Sequence, residues 1–195
     1  MSSKKLDAVN RILEVVGEEP VNSLQSGDPD AEAAERFVDR TSTDIQSIGW
    51  FENTEENWML VPDAKGHIDM PKGTLKVDTV GADKVTDVVL RGDRLYDRRN
   101  RTFVFDAGVL ADVVLKRPFE ELSHQMCRYI AAHAARLYQQ SEIGSTVLDK
   151  FVVAEERDAW TDLLWADAEA EDGNVLTDNR HAHMITHRKN RFYGA

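Results

Sequence analysis

The sequence predicts an α+β protein, mainly α: an antiparallel four-helix bundle with a small antiparallel β unit inserted at its middle and a C-terminal extension. Three observations carry this. Apolar residues recur with helical periodicity in two blocks that flank the middle of the chain. From Trp50 to Arg117 the period changes, and Gly66, Gly73, Gly81 and Gly92 break the segment into short β-rich runs. Past Asp172 the helical periodicity stops. The bundle is therefore discontinuous, formed by 1–52 and 118–172; the β subdomain spans 53–117, and 173–195 is a polar, basic arm.

The first helix follows from Leu6, Val9, Ile12, Leu13 and Val16, with Gly17 placed as a left-handed stop. Pro20, Gly27 and Pro29, among Asn22, Ser23, Ser26 and Asp28, supply the turn chemistry of a linker. A second helix is expected from about Asp30 to Gly49, with Ala34, Phe37, Val38, Thr41, Ile45 and Ile48 on one stripe and Arg36, Asp39, Arg40 and Asp44 pointing away. Strands are expected at Leu75 to Val80, Val85 to Arg91, Arg94 to Asp97, Thr102 to Asp106 and Val109 to Leu115, the last closing the sheet. Gly92-Asp93 suits a type II′ hairpin turn between two of them. Pro118 marks the first turn of a third helix, whose face carries Leu122, Met126, Tyr129, Ile130, His133 and Leu137. Beside that face Ala131, Ala132, Ala134 and Ala135 allow close approach of a neighbouring helix. Gly144 ends it, Ser145 is placed to cap a fourth helix, and Leu148, Phe151, Val152, Ala159, Trp160, Leu163 and Leu164 form the fourth stripe. The short connection makes the last two helices an antiparallel pair.

Length and composition narrow the function. A chain of 195 residues holds one core, or one core with an inserted unit, and its 42% apolar and 30% charged residues are ordinary for a folded globular protein. The single cysteine, Cys127, rules out an intrachain disulfide and every two-thiolate metal motif. The charged opening, Met1 to Asp7, is followed by an amphipathic stretch with Asp7, Asn10, Arg11 and Glu14 that is not expected to serve as the apolar core of a signal peptide, and no apolar run is long enough to span a membrane. A net charge of −11 argues against a protein that grips nucleic acid. Acids crowd Glu155 to Asp172, whereas the arm carries Arg180, Arg188, Lys189 and Arg191 against Asp178 alone, so the arm suits an acidic partner.

Candidate chemistry is thin. No glycine pattern for a phosphate cradle occurs. Cys127, with His124 three residues earlier, is the strongest nucleophile candidate, yet a thiol beside an apolar helical stripe is ordinarily packed. His133 reads as a hydrogen-bonded core or subunit-interface residue. His181, His183 and His187 have a spacing that could ligate zinc or nickel, although a solvated tail gives the same pattern. Glu55-Glu56 and Glu120-Glu121 are adjacent acids of a kind common on solvated surfaces. No cofactor or metal is expected. Trp50, Phe51 and Trp58 lie where the second helix hands over to the sheet, Trp160 and Trp165 on the fourth helix. Of these, Trp58 and Trp165 are candidate anchors of a subunit contact.

Particular residues go further than periodicity. Ala8-Val9-Asn10-Arg11-Ile12-Leu13, Gly17-Glu18-Glu19-Pro20-Val21, Ser23-Leu24, Asp28 to Ala34 and Ile45-Gln46-Ser47-Ile48-Gly49-Trp50 form one set. Tyr96-Asp97-Arg98, Phe105-Asp106-Ala107-Gly108 and Arg128-Tyr129 to Gln139 form another. Together they resemble the tail tubular protein A family, the adaptor or gatekeeper proteins of podoviruses. The resemblance implies a structural protein without an active site, located in the virion tail and assembled in the host cytoplasm. It implies a dodecameric ring beneath the portal protein and above the nozzle ring of tail tubular protein B, with tail fibres near the junction. It also implies a chain that stays monomeric until a portal is offered, and genomic DNA that passes the lumen without specific binding.

An acidic surplus fits such a wall, since like charge keeps DNA from adhering. The arm, with Arg180, His181, His183, His187, Arg188, Lys189 and Arg191, then becomes the candidate portal-docking segment. Two other readings stand beside the adaptor. A virion-associated polysaccharide hydrolase would need two placed carboxylates in a groove and would release reducing sugar. An isolated peptide-binding helical module would be monomeric throughout.

Overall fold

The computed structural model describes residues 3–144 and 146–170, and it is α+β, with four α-helices and two small antiparallel sheets. Helix α1 (Lys4–Val16) opens where the Ser3 hydroxyl accepts from Leu6 N–H, and it stops at Gly17, whose left-handed φ of 87° lets its own amide and that of Glu18 return to the Glu14 and Leu13 carbonyls. Helix α2 (Pro29–Gln46) is capped by Asp28, which accepts from the Asp30 and Ala31 amides, with Pro29 in the first turn. It ends three residues before Gly49, because Ile48 and Gly49 bond back to Ile45 and Gln46 in a tighter turn.

The β unit comprises β1 (Thr54–Leu60), β2 (Thr74–Thr79), β3 (Val88–Arg91), β4 (Arg94–Asp97) and β5 (Val109–Leu115). β5 lies at the centre of a three-stranded sheet, between β1 and β2, so the strand expected to close the sheet is its middle. β3 and β4 form a separate hairpin in which Gly92 has φ 62° and Asp93 does not share the positive sign, the pattern of the expected type II′ turn. The strand expected over 85–91 starts only at Val88, after a 3-10 turn over Gly81–Val85. Thr102 to Asp106 is not a strand; one isolated bridge joins Thr102 to Asp97. The cause is local: the Asp97 carboxylate accepts from the Asn100 amide and side chain at 2.8 Å each, and Arg101 turns left-handed at φ 57°.

Helix α3 (His124–Glu142) also starts later than the sequence suggests. Pro118 leads only into a 3-10 turn over Phe119–Glu121, and Leu122 and Ser123 are extended, with ψ 152° and 161°. The Glu52 carboxylate holds Ser123 there by accepting its amide at 2.8 Å and its hydroxyl at 3.2 Å, and Ser123 in turn caps α3. Helix α4 (Thr146–Ala170) follows; the expected cap, Ser145, lies outside the described residues.

α1, α2 and α4 all pack on α3. The pairs Arg128 with Asp162, His133 with Glu156 and Gln140 with Asp149 run in opposite directions, so α3 and α4 are antiparallel. Val9, Ile12, Ala34, Val38, Met126, Ile130, Ala134 and Ala159 form the centre of the helical core. Leu60, Ile68, Met70, Leu95, Phe105, Val109, Ala111 and Val113 form a second core in the β unit.

Between the two cores sits a buried polar knot. Gln46 accepts from the Arg117 amide at 2.7 Å and donates to the Arg117 carbonyl at 3.2 Å and to Ser42. Asn53 donates to the carbonyls of Gln46 and Leu115 at 2.9 Å each and accepts from the Trp50 amide. These two amides fasten the end of α2 to the points where the chain enters and leaves the sheet.

Candidate assembly interface

The candidate nucleophile is packed. Cys127 is buried on α3, its Sγ 3.5 Å from the Phe119 carbonyl, and burial pushes the thiol pKa up to about 11, so it is protonated at neutral pH. His124 is exposed at the helix start, whereas the thiol faces the Phe119 and Leu122 carbonyls. His133 Nδ1 lies 2.5 Å from Glu156, which also accepts from Arg136 at 2.8 Å; the group ties α3 to α4. Donating a side-chain hydrogen bond to the Glu156 carboxylate raises the Arg136 pKa against the burial that opposes it.

The adjacent carboxylates serve structure in the same way. Glu120 accepts from the Lys4 and Lys5 amides at 3.0 and 3.1 Å, capping α1; burial opposes its ionisation, but those amides hold its pKa below the usual value. Glu55 forms an ion pair with Arg117 at 2.6 Å. Among the described residues no group of three His, Cys, Asp or Glu side chains is placed to hold a metal ion, and no helix is long and apolar enough to cross a membrane. His181, His183 and His187, and with them Arg180, Arg188, Lys189 and Arg191, lie outside the described residues.

Aromatic side chains divide sharply. Trp50 is buried with its Nε1–H donating to the Ile45 carbonyl, and it meets Trp160 edge-on at 5.5 Å. Tyr129 also meets Trp160, tilted, at 4.8 Å. By contrast Trp58 is 37% exposed and Trp165 66%. A bulge in β1 between Glu55 and Trp58, with Asn57 left-handed at φ 52°, turns this edge of the sheet. There Trp58, Glu55, Glu56 and Leu115 line an open depression of about 340 Å³.

Phe151 corrects the sequence reading. Expected on the buried stripe of α4, it is 74% exposed, while its neighbour Val152 is buried. The stripe drawn from the sequence was too wide: at about 100° per residue, Phe151 falls with Glu155, Asp158, Asp162, Trp165 and Glu169 inside a sector of about 80° on the outer side. Of its carboxylates, Glu155 is tied to Arg11 and Asp162 to Arg128. Asp158 and Glu169 form no salt bridge among the described residues.

The β3–β4 hairpin and the turn after it have the opposite charge, displayed by five arginines within residues 91–101. Arg94 pairs with Asp69 at 2.7 Å, Arg98 with Asp87 at 3.5 Å, and Arg91 lies over the Tyr96 ring at 3.6 Å. Arg99 and Arg101 form no salt bridge among the described residues, and Phe103 and Val104 are exposed beside them.

A molecule with packed titratable groups and exposed, charge-ringed aromatics is equipped for contact with other proteins. Comparison with known proteins agrees. The family model described as tail tubular protein matches residues 6–173, both helical blocks and the β unit together. Tail tubular protein A of Klebsiella phage KP34 is 30% identical over 142 residues, which cover 72% of this chain and 74% of that protein. The chain belongs to the tail tubular protein family and is a structural protein of a phage tail.

Proposed function

We propose that this chain is the head-to-tail adaptor of a short-tailed phage, a subunit of a ring between the portal and the tail nozzle through which DNA passes. The observation that carries the reading is the outer face of α4, where Phe151 and Trp165 stand exposed on a helix otherwise well packed against α3. Apolar area of this kind on a virion protein is stabilised by burial against other subunits.

In this reading the four helices act as one antiparallel bundle, residues 1–52 with 118–172, and the β subdomain 53–117 projects from it. Each subunit then offers different faces to its neighbours in the ring and to the rings above and below. Trp58 and Trp165 anchor subunit contacts, and the basic arm 173–195 docks on the portal. The nozzle ring binds on the far side, with the tail fibres near the junction. The protein acts through contact area, without an active site, in the virion tail after assembly in the host cytoplasm. Its acidic surplus keeps the passing genome from adhering.

The test is the mass of the particle in solution, alone and with the portal of the same phage. Portal should convert monomer into a portal-bound dodecamer. A chain that ignores the portal and releases reducing sugar from capsular polysaccharide would be a hydrolase instead. For the arm, deleting 173–195 should weaken portal binding in a salt-dependent way, and unchanged binding would assign docking elsewhere.

A further inference from the structure

Two surfaces of this chain complement each other. Helix α4 carries seven acids against two cations, and its outer stripe sets Asp158 and Glu169 among the exposed Phe151 and Trp165. Along the helix the two aromatics are about 21 Å apart, four turns on one face. The hairpin and the turn after it carry five arginines against two aspartates over residues 91–101. The tip of the turn that follows β4, closed by the bridge between Asp97 and Thr102, sets Arg99 and Arg101 beside the exposed Phe103 and Val104. Each surface thus combines aromatic or aliphatic area with charge of one sign, and the signs are opposite.

We propose that the arginine tip of one copy, Arg99, Arg101 and Phe103, docks on the α4 stripe, Phe151, Asp158, Trp165 and Glu169, of the next copy around the ring. This rests on the ring proposed above and specifies its subunit interface. A closed ring of identical subunits is built from a heterologous contact, one face of each subunit meeting a different face of its neighbour, and these two faces have the required dissimilarity.

Nucleic acid is a less good occupant of the tip. Three of the five arginines are already engaged with Asp69, Asp87 and Tyr96, and the exposed flank is apolar. The chain as a whole is also acidic, which repels a polyanion. A second copy offers both the missing carboxylates and the missing apolar area. Exposed opposite charges steer the encounter, and the aromatics supply the burial.

A reciprocal charge swap tests the contact. The tip variant carries Arg99→Glu and Arg101→Glu, the stripe variant Asp158→Lys and Glu169→Lys, and a third variant carries all four changes. Ring formation on the same phage's portal is followed by particle mass over a range of salt, with circular dichroism and melting checking that each variant folds. Each two-residue variant should weaken ring formation by about tenfold or more, and the four-residue variant should restore it. Phe151→Ser with Trp165→Ser offers a charge-neutral check and should weaken rings equally.

Rings that form normally in both charge variants overturn the interface while leaving the adaptor reading intact. Wild-type protein that never forms rings with portal removes both. A tip variant that keeps its rings but loses affinity for duplex DNA assigns the tip to nucleic acid. Loss of rings on truncation after Asp172, with the tip variant unaffected, assigns the α4 stripe to the basic arm.

Discussion

The junction between the helical body and the β unit, and the outer face of α4, invert the usual rule of burial in opposite ways. At the junction, Gln46 and Asn53 are polar and fully enclosed, and their side chains bond to backbone groups and to Ser42. On α4, Phe151 and Trp165 are aromatic and lie in water. The first inversion is compatible with folding because each buried amide is satisfied, and it fixes where the chain enters and leaves the sheet. The second contributes nothing to the fold and leaves apolar area available for a partner. Departures from the rule therefore separate the residues that build this molecule from those that it presents.

Removing a junction amide should destabilise the protein most severely. Asn53→Ala takes partners from two buried carbonyls and one buried amide, a loss of about 3 kcal/mol, which lowers Tm by roughly 6 to 12 °C in a chain of this size. Denaturant titration and calorimetry would check it, and a loss under about 1 kcal/mol would mean water reaches the knot.

Next comes the tie between α3 and α4. Glu156→Ala leaves Arg136 with only Asp149 at 3.4 Å and His133 without its carboxylate. Partial exposure of Arg136 reduces the penalty, so about 2 kcal/mol is expected. Glu156→Gln, which keeps an acceptor, should lose less; equal losses would show that charge and not hydrogen bonding carries the tie.

Acid should act on the hairpin side. The Asn100 amide and side chain hold the Asp97 carboxyl below the usual carboxylate range against the opposing burial. A folded pKa below the unfolded one means stability that is present above about pH 4 and lost as pH falls through the folded value. Asp97→Asn should therefore flatten the acid limb of the stability curve and reduce stability near neutral pH by about 1 kcal/mol. An acid limb identical to wild type would show that the turn does not depend on this carboxylate.

Legibility in the sequence followed how local the determinant was. α1 and α2 were readable because stripe, cap and stop lie within one segment: Ser3 and Gly17 bound the first, Asp28 and Pro29 open the second. The start of α3 was misread because Glu52, far away in sequence, holds Ser123 extended. β1 escaped notice because Thr54 to Leu60 lacks alternating apolar residues and becomes a strand by pairing with β5. The extra strand at Thr102 was ruled out by a side chain, Asp97, that prefers a turn. Of the candidate surface, the sequence marks Trp58 and Trp165, both exposed, but places Phe151 on the apolar stripe although its spacing from Trp165 sets both on one face. Hydrophobicity marks a residue as wanting burial without saying whether the cover is its own chain or another.

The outer face of α4 should respond least in stability. Phe151→Ser with Trp165→Ser removes two large apolar side chains from water, so the isolated chain should keep its stability within about 0.5 kcal/mol. Trp160 provides the matched control on the same helix. It is held between Trp50 and Tyr129, and Trp160→Ala should lose about 3 kcal/mol. If area on α4 is used twice, inward for folding and outward for assembly, the two variants must separate the two properties. The serine pair should melt like wild type and fail to form rings, whereas the Trp160 variant should melt early and, below its transition, still associate. A serine pair that melts early would place Phe151 and Trp165 in the fold after all, covered by a segment of their own chain.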